Sequence, residues 1–224
     1  MPDKIEQIKK IVEQELSCSV HNMDHVMRVY NLALKLAQME NNVDLRILEP
    51  AVLLHDIARV KEDDDSTGGI DHAILGAEMA DKILRDLDYA NEQIGKIKAC
   101  IISHRYRTGV KPETIEARIL FDADKLDALG AIGIARSFGW VGRNGARMYY
   151  KVEIEEYIKD NLGGSIKGRI QDKTKHSPQI ELEAKIKFLP DKLYTESAKQ
   201  IGQERLEYYK HFLDRLEQEV NGQL

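Results

Sequence analysis

A histidine and an aspartate stand side by side at His55-Asp56, directly after the apolar run Ala51 to Leu54. Neighbouring side chains on a helix project about 100° apart, so both face one cavity only from its edge. A carboxylate buried beside an imidazole without compensation is costly. A divalent cation removes that cost, because it takes neutral imidazole nitrogen and anionic carboxylate oxygen together. The competing reading is a surface doublet that follows a core turn. Weighing against it are His25, His72, His104 and the acidic run Asp122-Ala123-Asp124-Lys125-Leu126-Asp127.

The order of these residues carries a likeness. A histidine before Arg-Val (His25-Val26-Met27-Arg28-Val29), the doublet, later histidines and a closing Ala123-Asp124-Lys125-Leu126 resemble the HD-domain metal-dependent phosphohydrolases, in particular the small stand-alone bacterial type. The likeness covers about residues 20 to 135. It implies an all-α fold, an HD-domain helical bundle. It also implies one divalent metal ion, of Mn, Mg, Co, Fe or Ni, held by His25, His55, Asp56 and Asp124. Positions left open on the ion make such a site catalytic rather than structural. The cation lowers the pKa of a bound water toward about 7 and polarises a phosphoryl oxygen.

Further roles follow from that likeness and from closeness to the ligands along the chain. Asp56 is expected both to bind the ion and to orient the attacking water. His72, Arg105 and Lys125 are expected to offset charge building on the phosphoryl group. Arg59, His104 and Arg143 are expected to contact the substrate. The implied activity is hydrolysis of a small phosphorylated compound, a nucleotide. Its narrowest form is a nucleoside triphosphate split to monophosphate and pyrophosphate. Two rivals stay open. Counting His72 and His104, the order matches dinuclear HD proteins, which include cyclic-dinucleotide phosphodiesterases and di-iron oxygenases. The phosphodiesterases usually carry Lys where this chain has Arg59. The other rival is a non-catalytic nucleotide-binding sensor, against which the intact ligand set argues. His21-Asn22 stands where such proteins often have His-Asp, so that carboxylate is missing here.

Helices must position these residues, and the apolar spacing supplies them. Ile5, Ile8, Ile11 or Val12, and Leu16 recur at helical period, and a break at Ser17 to Ser19 follows. A second helix from about Asp24 to Glu40 puts His25 on the face of Val29, Leu32 and Leu36, pointing inward as a ligand or as a satisfied core group. Asp44 is the expected N-cap of a short turn, and Pro50 then opens the helix that carries the doublet to Arg59. Lys61 to Ile70, with four consecutive acids and two glycines, reads as a solvated, mobile loop. Asp71 caps a helix to about Leu87, which leaves His72 in a first turn suited to a metal or to an anion. Ile94, Ile97, Ile101 and Ile102 form another helix. It ends at Ser103-His104-Arg105 and leads into Tyr106-Arg107-Thr108, a small basic cluster or an ordinary pairing of cations with a helix end.

A long helix is expected from about Glu113 to Arg136. On it Asp124 shares the apolar face of Leu120 and Phe121, and Asp122 shares that of Ile119 and Leu126. Periodicity leaves the two open, and the resemblance selects Asp124. Asp122 and Asp127 then support the site from behind or pair with Lys125 and Arg118. From Phe138 to Pro178 glycines alternate with Arg143, Arg147, Lys167 and Arg169 around a short helix near Val152 to Asn161. That composition suits a lid over an anion or an ordinary insertion, with His176 a candidate for substrate contact only. Ile180 to Leu189 reads as helical. Thr195 caps a long closing helix whose stripe, from Ala198 to Val220, is core or the contact of a homodimer. The division expected is a helical core at 1–137, a lid at 138–180 and C-terminal helices at 181–224 that pack back on the core.

Composition narrows the partners. A net charge of −5 over 224 residues argues against a surface built to coat a nucleic-acid polymer. Cys18 and Cys100 form no disulfide framework or metal-type spacing and read as core fillers. No apolar run approaches the roughly 20 residues that cross a bilayer, and Met1 to Leu16 lacks a signal's apolar core. A small phosphorylated substrate, no membrane and a cytoplasmic setting are the expectations.

Overall fold

The computed structural model describes residues 3–16, 23–105, 109–166 and 168–224. Cys18, His21-Asn22, the break at Ser17 to Ser19, the stretch Tyr106 to Thr108 and Lys167 lie outside the described residues. The described chain is all-α, with helices α1 (Lys4–Glu15), α2 (Met23–Met39), α3 (Leu45–Leu54), α4 (Arg59–Asp64), α5 (His72–Asp86) and α6 (Asn91–Ser103). There follow α7 (Ile115–Leu126), α8 (Gly130–Asn144), α9 (Ile154–Asn161), α10 (Pro178–Ala184) and the long α11 (Glu196–Val220). Two compact units divide it: Met1–Asp124 with Tyr194–Ala198, and Lys125–Leu193 with Lys199–Leu224.

In the first unit α3 is the central element. Ile47, Leu48, Ala51, Val52, Leu53 and Leu54 are each at most 3% exposed, so the helix is apolar nearly all round. A helix of that kind has to be covered on every side, and α1, α2, α5 and α6 all pack on it. Caps fix the helix starts. Asp44 accepts from the Arg46 N–H at 2.9 Å, and Asp71 accepts from the Ala73 N–H at 2.9 Å.

Several boundaries differ from expectation. Asp44 opens one helix rather than a short turn, and Pro50 lies inside it. Proline forgoes the hydrogen bond to the residue four back, here the exposed Arg46, whose carbonyl water can serve. The doublet follows α3 instead of riding on it, in the turn at 55–58 that leads into α4. The first half of the supposed acidic loop is therefore helical. Asp65 orders the rest, accepting from the Thr67 N–H and hydroxyl at 2.8 and 2.6 Å and from the Ile70 N–H at 2.8 Å.

The second unit begins where the long helix expected at 113–136 breaks. Gly130 adopts φ +65°, a left-handed conformation that a side chain would resist. A Cβ at Gly133 would stand 2.2 Å from the Ala128 carbonyl oxygen. The chain therefore turns between α7 and α8, and Arg205 donates to the Leu126 carbonyl at 2.8 Å. α8 continues through Gly139 and Gly142 to Asn144, past the point where the glycine-rich segment was expected to begin. Tyr157, Leu162 and Ile180 form a small core of their own between α9 and α10. No described helix is long and apolar enough to cross a membrane.

Candidate metal centre

The end of α3 carries the doublet into the interior of the first unit. His55 is fully buried, and its Nδ1 lies 2.7 Å from the Val52 carbonyl oxygen. A carbonyl only accepts, so the imidazole proton is on Nδ1 and the lone pair is on Nε2. That Nε2 has no hydrogen-bond partner. An orphaned buried nitrogen of this kind calls for a ligand.

Asp56, 6% exposed, gathers the other groups. Its Oδ2 lies 3.7 Å from His25 Nε2 on α2 and 3.7 Å from His55 Nε2. Its Oδ1 lies 3.3 Å from His72 Nε2, at the first residue of α5, and 3.6 Å from His104 Nε2, just past α6. Asp124 on α7 reaches in from beside His25, with Oδ1 3.5 Å from His25 Nε2. Each oxygen of one carboxylate thus faces its own pair of histidines. Two donor groups result, His25–His55–Asp56 and Asp56–His72–His104, each with its atoms within 4.8 Å of one another.

The histidine protons point away from this centre. His104 gives its Nδ1 proton to the Ile101 carbonyl, as His55 does to Val52. His72 Nδ1 lies 2.6 Å from Glu62 Oε2. Three Nε2 lone pairs therefore converge on an anionic carboxylate, and His72 Nε2 stands only 3.3 Å from His104 Nε2. Lone pairs so close repel unless a cation lies among them, so the donor set fits a divalent metal ion. Two imidazoles and two carboxylates around His25 and Asp124 suit Mn, Fe, Co, Ni or Zn better than Ca.

Electrostatics agree. Burial holds the His55 imidazole down to about 4, although Asp56 pulls it the other way. Burial also lowers His72. For Asp56, burial alone would raise the carboxyl, but His55 and His104 outweigh it and keep it well below the usual range. Neutral imidazoles beside an ionised carboxylate are the protonation states a metal requires.

The structure therefore brings together His25, His55, Asp56, His72, His104 and Asp124. Arg59 and Arg105 adjoin them through Glu62: Arg59 Nη1 is 3.2 Å from Glu62 Oε2, and Arg105 Nη2 is 2.7 Å from Glu62 Oε1. Glu62 is the residue that sequence reasoning missed. It belongs to the acid run read as a solvated loop, and its helical spacing from Arg59 was the available signal. Lys125 and Arg143 belong to the second unit, Lys125 half-buried on α7 and Arg143 exposed near the end of α8.

Other candidates have structural partners. Asp122 accepts from the Tyr194 N–H, the Thr195 N–H and the Thr195 hydroxyl. Asp127 pairs with Arg136 at 2.6 Å. His176, expected as a substrate contact, is buried in the second unit. Tyr157 Oη lies 2.8 Å from its Nδ1, Glu181 lies 3.3 Å from its Nε2, and Trp140 meets its ring edge-on.

The sequence pattern of the HD domain matches residues 22–129. The chain is 28% identical to the Bacillus subtilis protein YpgQ over 226 residues, 97% of this chain and 94% of that one. Among solved structures, B. subtilis YpgQ in complex with ADP superposes with a TM-score of 0.70 at 26% identity, covering 96% of this chain and 94% of that chain. An HD-superfamily hydrolase from Bacillus thuringiensis superposes at 0.65 with 26% identity, covering 97% of both chains.

Proposed function

This chain belongs to the HD-domain family, and from that premise we propose that it is a divalent-metal-dependent phosphohydrolase acting on a nucleotide. The observation that carries the proposal is the Asp56 carboxylate, with one oxygen turned to His25 and His55 and the other to His72 and His104. His25, His55, Asp56 and Asp124 would hold the ion. A bound ion of this kind acidifies a coordinated water and polarises a phosphoryl oxygen.

The chain's own groups do the rest. Val52 and Ile101 keep His55 and His104 in one tautomer, so their Nε2 atoms stay available as ligands. Arg59 and Arg105 supply planar guanidinium groups suited to phosphate oxygens. Lys125, expected to offset phosphoryl charge, and Arg143, expected to contact substrate, stand as proposals on the sequence reading alone. A nucleotide is the substrate class to try first, because YpgQ was solved with ADP bound. A nucleoside triphosphate split to monophosphate and pyrophosphate is its narrowest form.

A second reading concerns the number of ions. His72 Nε2 and His104 Nε2 stand 3.3 Å apart with Asp56 Oδ1 between them in reach, which favours a second cation there, as in dinuclear members of the family. Screening nucleotides with Mn2+, while following phosphate and pyrophosphate release, tests the activity, and metal content per chain tests the count. Release of neither product from any nucleotide, by protein shown to hold metal, would reject hydrolysis and leave the sensor or oxygenase readings.

A further inference from the structure

Glu62 lies in the middle of Lys61-Glu62-Asp63-Asp64, and it alone of the four turns inward: its side chain is 15% exposed, and the other three residues are exposed. Both of its oxygens are engaged. Oε2 lies 2.6 Å from His72 Nδ1, and Oε1 lies 2.7 Å from Arg105 Nη2. Arg105 reaches on with Nη1 to Asp71 Oδ2 at 2.7 Å, and the other oxygen of Asp71 caps α5, whose first residue is His72. One carboxylate thus ties α4, the start of α5 and the end of α6 together behind the metal centre.

The distances also decide how His72 is protonated. Its Nδ1 has a second neighbour, Arg59 Nη1, at 3.4 Å. Accepting from Arg59 would require the lone pair on Nδ1, which would then face the Glu62 carboxylate at 2.6 Å, lone pair against anion. The shorter contact wins, so Nδ1 carries the proton and Nε2 faces Asp56. His55 and His104 obtain the same orientation from backbone carbonyls, which no substitution removes. His72 depends on a side chain.

We propose that Glu62 is a positioning residue: it holds His72 with Nε2 turned to Asp56 and fixes the Arg105 guanidinium beside it. Without it the His72 ring is free to accept from Arg59 and to turn its N–H toward Asp56. The inference rests on the phosphohydrolase reading for its kinetic arm only. The structural arm is read on metal-free protein and stands or falls without that reading.

The test uses the full chain labelled with 15N-histidine, with long-range proton–nitrogen spectra recorded near pH 8 on metal-free protein. In wild type, His72, His55 and His104 should all carry the proton on Nδ1. In Glu62→Ala the His72 signal should move to the Nε2–H tautomer or a mixture, with His55 and His104 unchanged. A His72 signal identical in both proteins overturns the proposal whether or not any nucleotide is hydrolysed. In the kinetic arm, kcat of Glu62→Ala should fall about 10- to 100-fold, the usual cost of losing the partner behind a metal-site histidine. Should Glu62→Ala melt without cooperativity, Glu62→Gln keeps the shape. A single amide oxygen cannot serve both donors, so its kcat/KM should fall at least about tenfold. Unchanged kcat/KM in Glu62→Gln, where wild type turns a nucleotide over, also overturns it.

Discussion

Thr195, just before α11, gives both its backbone N–H and its hydroxyl to Oδ2 of Asp122 on α7, at 2.8 and 2.7 Å. The Tyr194 N–H takes the other oxygen at 2.8 Å. Asp122 is thus an anchor for the start of α11, whereas Asp124, two residues later, faces His25.

That division separates stability from chemistry. Asp122→Ala would leave three donors without their acceptor at a fully buried position. The cost should be about 3 kcal/mol, or a melting temperature lower by roughly 10 °C for a chain of this size. Asp124→Asn should change the melting temperature of metal-free protein little while weakening Mn2+ binding in calorimetry. Equal melting temperatures for Asp122→Ala and wild type would remove the anchor role.

Asp56 should matter more than any histidine, because both donor groups share it. Asp56→Ala is expected to abolish nucleotide hydrolysis and metal retention while cooperative helical melting persists. Wild type should gain stability with Mn2+, by about 2.7 kcal/mol at one hundred times the dissociation constant, and chelator should reverse the gain. Undiminished turnover in Asp56→Ala would reject the site.

Acid should weaken the metal-free fold. His55 titrates near 4 in the folded protein against an ordinary value of 6.5. Between those values the unfolded chain binds a proton that the folded chain refuses, so stability falls as pH drops from about 6.5 toward 4. His72 is shifted in the same direction. The loss assigned to His55 alone is about 3 kcal/mol across that window, and Asp56 adds to it only at lower pH, where its depressed carboxyl finally protonates. Thermal melts of chelator-treated protein from pH 7.5 to 4.5 check this, and a flat profile would contradict it.

Arg105 is braced by Glu62 and Asp71, and its guanidinium is half of the basic pair near the histidines. Arg105→Ala should raise KM for the nucleotide about tenfold, equivalent to about 1.4 kcal/mol of binding. Steady-state kinetics with unchanged KM and kcat would show that Arg105 serves only as a brace.

Tyr157→Phe removes the hydrogen bond to His176 in the second unit. The expected loss is about 1 kcal/mol, a few degrees in melting temperature, with turnover unaltered. Reduced turnover at an unchanged melting temperature would instead return His176 to the list of substrate contacts.

The grouping of His25, His55, Asp56 and Asp124 as candidate ligands was legible through the family resemblance, because the helical period alone left Asp122 and Asp124 open. The helices were legible from the 3.6-residue period and from their caps at Asp44, Asp71 and Thr195, which act within a few residues. The break after Leu126 was not, because it follows from the backbone at Gly130 and from how closely Gly133 approaches Ala128. Four acids in a row have no period, so nothing local distinguished Glu62 from Asp63.

The sequence by itself determined an all-helical chain, for which side-chain type and short-range spacing suffice, and through the family resemblance it named candidate donors of a metal site. Only the tertiary structure decided that Asp56 turns one oxygen to each histidine pair, that Asp122 holds the start of α11 while Asp124 faces His25, and that Glu62 stands behind His72. Those outcomes depend on how α2, α4, α5, α6 and α7 are brought together across many residues of intervening chain. Packing geometry of that kind is set by the shapes of whole helices, and no local pattern encodes it.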